Sequence, residues 1–181
     1  MSYVPSEYWA KRGQTYEQEA RERGWWDAED LPLIDLIGEL KPSTILEIGC
    51  GYGRVGAAIQ RHFPDVEYTG IDISADLIEA SRRRLPKAEL IVADIATWDA
   101  DRQWDLVLAA NTLGHIRPED LAAVWAKMQK WARRDIIHID WNEVGKRTAY
   151  QFGHSYQGLH GRALREIPMG ATTLFHLPQP R

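Results

Sequence analysis

The stretch Ile45-Leu46-Glu47-Ile48-Gly49-Cys50-Gly51-Tyr52-Gly53-Arg54 passes from a β-branched apolar run through three alternating glycines into an amphipathic segment. It therefore predicts a strand, a tight turn and a helix in succession. Glycines let the turn adopt positive φ and approach a ligand without a Cβ in the way, and the helix start offers unpaired N–H groups to an electronegative group. In an open parallel sheet, the crevice beyond the carboxyl end of the first strand is where ligands bind.

The same alternation repeats outward from this stretch. Short apolar runs at residues 44–48, 66–73, 89–93, 104–110 and 135–141 alternate with helical segments, as in a parallel sheet covered on both faces. Residues 53–62 put Val55, Ala58, Ile59 and Phe63 on one helical face before Pro64. Ser74 reads as an N-cap, with Asp76 in the first turn, Arg82-Arg83-Arg84 in the last, and Pro86 as the stop. Pro118-Glu119-Asp120 opens another helix, with Leu121, Val124, Trp125 and Met128 facing inward and Lys127, Lys130 and Arg133 near its end. Ahead of the first strand, residues 30–40 form an amphipathic helix, and residues 6–23 a weaker helical pattern interrupted by Gly13. Residues 142–161 read as a loop or short helix, and residues 163–169 and 171–177 flank Gly170 as a terminal hairpin. The expected fold is α/β: a doubly wound, seven-stranded, mostly parallel sheet with N-terminal helices and a C-terminal antiparallel β-hairpin.

A chain of 181 residues suits one domain. Its net charge of −4 has no basic stripe, which argues against a nucleic-acid partner. One cysteine allows neither an internal disulfide nor a thiolate zinc site. No apolar run approaches the ~20 residues of a membrane span, and residues 1–13 lack the apolar core of a signal peptide. A cytoplasmic protein without a membrane partner is expected, as a monomer or homodimer.

Gly51-Tyr52-Gly53-Arg54-Val55-Gly56 also matches the dinucleotide fingerprint, with Asp72 spaced as a ribose ligand. Glu47 shifts the balance. A pyrophosphate would be repelled by that carboxylate, whereas a ligand carrying positive charge would gain from it in a poorly solvated cleft.

The segment ILEIGCGYGRVG resembles motif I of the class I S-adenosylmethionine-dependent methyltransferases, whose fold is Rossmann-like, and further motifs follow in order between residues 41 and 141. The resemblance implies S-adenosyl-L-methionine as cofactor, held at Glu47, Gly49, Gly51 and Gly53. It implies that Asp72 bonds the ribose hydroxyls and Ile73 flanks the adenine, while Asp94 and the Ile95 amide meet the adenine edge. The stretch from Trp104 to Ile116, with Asn111 at the strand end, is similar to the motif that lines the methyl-transfer site. The family reading divides the chain into a helical cap or lid (1–40), a cofactor-binding core (41–141), and a substrate loop with the terminal hairpin (142–181). The implied activity is O- or N-methylation of a small-molecule acceptor. An NAD(P)-linked oxidoreductase and a non-catalytic S-adenosylmethionine-binding module are the alternatives.

Base candidates are His115, His138 and His154, because unperturbed histidine titrates near operating pH. Each has a plainer reading. His115 either faces the transferred methyl or packs after a strand, and His138 shares a strand face with Asp140 as a base or as a buried bonded pair. His154 lies in a loop similar to one that small-molecule methyltransferases place over the acceptor, although Ser155 stands where Asp is commoner. Asp72 and Asp94 read otherwise as turn formers, and Cys50 as packing. His115, His138, Asp140, His154 and His160 together could suggest a metal site, but their spacing does not support one and none is expected. Tyr3, Tyr8, Trp9, Tyr16, Trp25 and Trp26 crowd the first segment as sheet packing or as an aromatic lid.

Overall fold

The computed structural model describes residues 3–141, 145–146, 148–160 and 165–179. Five parallel strands, β1 (Thr44–Ile48), β2 (Glu67–Asp72), β3 (Glu89–Val92), β4 (Trp104–Ala110) and β5 (Ala132–Trp141), are joined by a terminal hairpin, β8 (Arg165–Met169) and β9 (Thr172–Pro178). They form one seven-stranded sheet in the order β3-β2-β1-β4-β5-β9-β8, with β9 antiparallel to both neighbours. A separate two-stranded ladder pairs β6 (Gly145–Lys146) with β7 (Phe152–Gly153). The order reverses between β1 and β4, the topological switch point of a doubly wound sheet.

Alternation along each strand feeds two cores. Leu46, Ile48, Val107, Ala109 and Ile136 point to one face, under Leu121, Val124, Trp125, Met128 and Trp131 of α5 (Pro118–Trp131). Ile45, Leu106, Leu108, Ile137 and Ile139 point to the other, against α2 (Leu31–Leu40) and α3 (Arg54–His62). The Ser74 hydroxyl caps α4 (Ala75–Arg84), accepting from the Leu77 amide. No described helix is long and apolar enough to cross a membrane.

The structure departs from the sequence reading in three places, one of them the β6–β7 ladder within residues 142–161, where a loop or short helix is expected. Strand β5 begins at Ala132, three residues before the expected 135, because α5 runs into it without a loop and Ala132 already pairs with Trp104. Where residues 6–23 read as an interrupted pattern, the chain forms an unbroken helix, α1 (Pro5–Glu22), in which Gly13 permits close packing. A Cβ there would lie 2.1 Å from the Ser74 hydroxyl oxygen. Within residues 142–161, α6 (Tyr156–His160) is the short helix. The expected hairpin start at 163–164 and the His160 side chain lie outside the described residues.

Gly13→Ala is therefore expected to destabilise the protein by about 1–3 kcal/mol through overpacking. A mid-helix glycine-to-alanine change ordinarily gains roughly 0.5–1 kcal/mol. Thermal unfolding decides the sign, and a variant as stable as the parent would refute the contact.

Candidate active site

A cavity of about 800 Å³ opens at the carboxyl ends of β1–β4, with α1 along its far side. Its floor is the glycine loop. Gly49, Gly51 and Gly53 have φ of 68°, 55° and 78°. A Cβ on Gly49 would stand 2.4 Å from the Thr112 hydroxyl, whereas one on Gly51 would meet nothing within 4 Å. The loop backbone is thus exposed to the cavity at Gly51, while Gly49 is pinned beneath. Gly53 caps α3 and does not line the cavity.

Two buried carboxyls border this floor. Asp72, at the end of β2, accepts from the Gly51 amide (2.9 Å) and from the Ser74 amide (2.9 Å), tying the loop to the start of α4. Burial pushes it up to about 6, against the lowering effect of these bonds. Glu47 is 2% exposed and receives a hydrogen bond from the Tyr68 hydroxyl. Burial pushes it up to about 8, partly offset by Tyr68 and the Arg54 guanidinium. Arg54 itself is paired with Asp30 at 2.8 Å.

The Glu47 shift is also a stability statement. A carboxyl raised in the folded state contributes stability that is complete below its unfolded value, about 4.3, and that is lost as pH rises toward about 8. Glu47→Gln is expected to flatten the fall in melting temperature between about pH 5 and about pH 8. Identical slopes for the two proteins would place the titration elsewhere.

The turn after β3 carries Asp94 and Ile95, both lining the cavity. Asp94 accepts from the Ala96 amide, and the Lys127 ammonium donates to the carbonyls of Ile95, Ala96 and Trp98 at 2.8–2.9 Å. Lys127 therefore fixes this turn from α5. Asn111, at the end of β4, lines the cavity in the left-handed region (φ 55°). The Thr112 hydroxyl beside it donates to the Ile48 carbonyl.

Among the described histidines, His115 is the one at the cavity. It ends a 3₁₀ turn, Leu113–His115, braced from below: the Asp140 carboxylate accepts from the Gly114 amide (3.0 Å), and His154 Nε2 bonds the carbonyls of Leu113 and Ile116. His115 Nδ1 lies 2.9 Å from the Tyr150 carbonyl. That carbonyl can only accept, so Nδ1 carries the proton and the neutral ring presents Nε2 as an acceptor. Burial lowers the His115 pKa below its ordinary value and so maintains the neutral form.

The other two histidines do not line the cavity. His138 is fully buried among Trp125, Tyr156 and Phe175, and His154 acts on backbone carbonyls. Asp140 is pushed up to about 6 by burial and receives the Tyr156 hydroxyl. Cys50 is buried, and its thiol is pushed well up by that burial. Among the described residues no three His, Cys, Asp or Glu side chains converge as a metal site.

Sequence reasoning brought Glu47, Gly49, Gly51, Asp72, Ile73, Asp94, Ile95, Asn111 and His115 to one cavity. It missed Tyr68, Thr112 and Lys127. Tyr68 and Thr112 sit within or after strands whose polar positions could have been read as inward-facing. Nothing in the helical pattern of α5 singles out Lys127.

Residues 45–135, half of the chain, match the family described as a methyltransferase domain. The trans-aconitate 2-methyltransferase of Methylobacterium radiotolerans is 36% identical over 90 residues, covering 48% of this chain and 35% of that protein. That of Paracidovorax citrulli is 43% identical over 79 residues, covering 42% and 30%. The chain thus spans about a third of the length of these curated relatives. In structure it resembles magnesium protoporphyrin IX methyltransferase from Synechocystis with bound S-adenosylmethionine, at TM-score 0.72, 14% identity and 99% coverage of both chains. It also resembles a TehB-like methyltransferase from Corynebacterium glutamicum, at TM-score 0.73 and 17% identity over 94% of this chain and 99% of that one. The chain belongs to the class I S-adenosylmethionine-dependent methyltransferases.

Proposed function

We propose that this chain binds S-adenosylmethionine and transfers its methyl group to an oxygen or nitrogen of a small-molecule acceptor. The observation that carries this reading is Glu47, a buried carboxyl raised to about 8 and bordering the cavity beside an open glycine loop. A ligand that brings its own positive charge favours the ionised form of that group. The curated relatives, named as methyltransferases of a small organic acid, support a small acceptor.

S-Adenosylmethionine supplies a methyl group on a positively charged sulfur, which leaves as a neutral thioether. The chain's own residues bind and orient the reactants. Asp72 would take the ribose hydroxyls, and Asp94 with the Ile95 amide the adenine edge. Gly49 and Gly51 would let the backbone approach the amino-acid end, and Glu47 would balance the positive charge. Asn111 would line the place at the strand end where acceptor and methyl meet. His115 Nε2 would take the acceptor's proton, an effect typically worth about 10²–10⁴-fold. Residues 3–25 would act as the cap that excludes water.

Calorimetry with S-adenosylmethionine, S-adenosylhomocysteine and NADH tests the reading. Binding of the first two is expected, with protons released from Glu47 as the cationic ligand binds near neutral pH. NADH binding alone, or no binding at all, would refute it.

A further inference from the structure

Resting on the methyltransferase reading, we infer that the acceptor is a neutral, planar aromatic molecule bearing a hydroxyl, a phenol, and not a carboxylic acid. The aromatic rings around His115 come from chain outside residues 45–135, where the family similarity lies. Acceptor choice is therefore not inherited with the cofactor core. From α1, Trp9 meets the His115 ring edge-to-face at 5.0 Å. Trp141 stands steeply to it at 5.6 Å, and Tyr150 lies parallel at 6.3 Å. Tyr8 stacks on Tyr150 at 4.4 Å, and burial, together with Tyr150, pushes its hydroxyl up to about 12, partly offset by the Arg12 guanidinium beside it.

The cavity lining carries more carboxyls than guanidiniums. Arg12 and Arg23 share Glu19, Arg54 pairs with Asp30 and Arg117 with Asp120, while Glu47, Asp72 and Asp94 add further acids. Among the described residues, no lysine or arginine lining the cavity lacks a carboxylate partner. An acid with several carboxylates would be desolvated here without a cation to meet it, a juxtaposition that costs affinity. An aliphatic ammonium is disfavoured by the ring geometry. A cage for a cation presents several open ring faces, whereas Tyr8 and Tyr150 cover faces of one another.

A planar ring, by contrast, needs no open face of that pair: it can pack against the edges of Trp9 and Tyr150 and set its hydroxyl against Nε2. The acceptor oxygen gives its proton to Nε2 and bonds to the methyl carbon as the carbon–sulfur bond breaks, the bonding pair returning to sulfur as a thioether.

The test uses the full chain, first titrated with S-adenosylhomocysteine. Panels of phenols, aliphatic amines and aliphatic polycarboxylates including trans-aconitate are then supplied with S-adenosylmethionine. In parallel, quenching of tryptophan fluorescence reports acceptor binding to the S-adenosylhomocysteine-loaded protein. The expected result is phenol binding and methylation, with trans-aconitate and amines inert. Trp9→Ala should raise KM for the phenol about tenfold at unchanged S-adenosylhomocysteine affinity, and Trp9→Phe should recover most of it. Turnover of a polycarboxylate or amine with phenols inert overturns the proposal, as does a protein that binds S-adenosylhomocysteine but no phenol at millimolar concentration. Loss of S-adenosylhomocysteine binding itself would instead sink the methyltransferase reading.

Discussion

Asp72→Ala is expected to weaken S-adenosylhomocysteine binding by more than about 100-fold, because hydrogen bonds to a charged carboxylate are each worth about 1.5–3 kcal/mol. The substitution would remove the proposed ribose ligand together with the acceptor that holds the Gly51 and Ser74 amides. Asp72→Asn keeps the shape and one acceptor oxygen, so it should fall between the parent and the alanine variant. Calorimetry measures both. Binding within about threefold of the parent for Asp72→Ala would place the ribose elsewhere. The variant should also remain folded. Asp72 is a carboxyl raised by burial to about 6, and its removal takes away a desolvated group as well as two bonds.

His115→Asn is expected to lower kcat with a hydroxyl acceptor by about 10²–10⁴-fold and to leave S-adenosylhomocysteine affinity unchanged. The asparagine amide can still donate to the Tyr150 carbonyl in place of Nδ1, so the change isolates the base. The parent's pH profile carries a second signature. The active form is the neutral ring, and burial lowers its pKa, so kcat at saturating S-adenosylmethionine should stay flat through neutral pH and fall only below the ordinary histidine value of about 6.5. In the variant that acid limb should vanish. A loss of less than about threefold, or an unchanged limb, would assign the proton to another acceptor.

The cofactor half of the cavity was legible in sequence because its residues sit at the ends of strongly patterned strands. Once the run ending at Ile48 is a strand, Gly49 and Gly51 must lie in the loop beyond it, and Asp72, Asp94 and Asn111 follow by the same logic from their own strands. The histidines were harder. Alternation assigned His138 and Asp140 to one face of β5, and both side chains do lie on the α5 side. Periodicity gives a face but no depth, and in a sheet covered on both sides that face is filled by Trp125, Tyr156 and Phe175. His154 illustrates the same limit, since its backbone-carbonyl partners at Leu113 and Ile116 are about forty residues away in sequence. At Gly13 the local propensity rule misled, because tertiary packing against Ser74 outweighed the cost of glycine in a helix.

The division of labour around the cavity has a consequence for how such a molecule can change over generations. Its floor rests on β1–β4, whereas Tyr8 and Trp9 belong to α1 and take no part in either of the two cores flanking the sheet. Substitutions there break no strand ladder, and of the two only Trp9 packs on the small outer cluster that includes Tyr52 of the glycine loop. Acceptor preference can drift while the machinery beneath stays intact, which makes the far wall the part of the molecule with evolutionary slack.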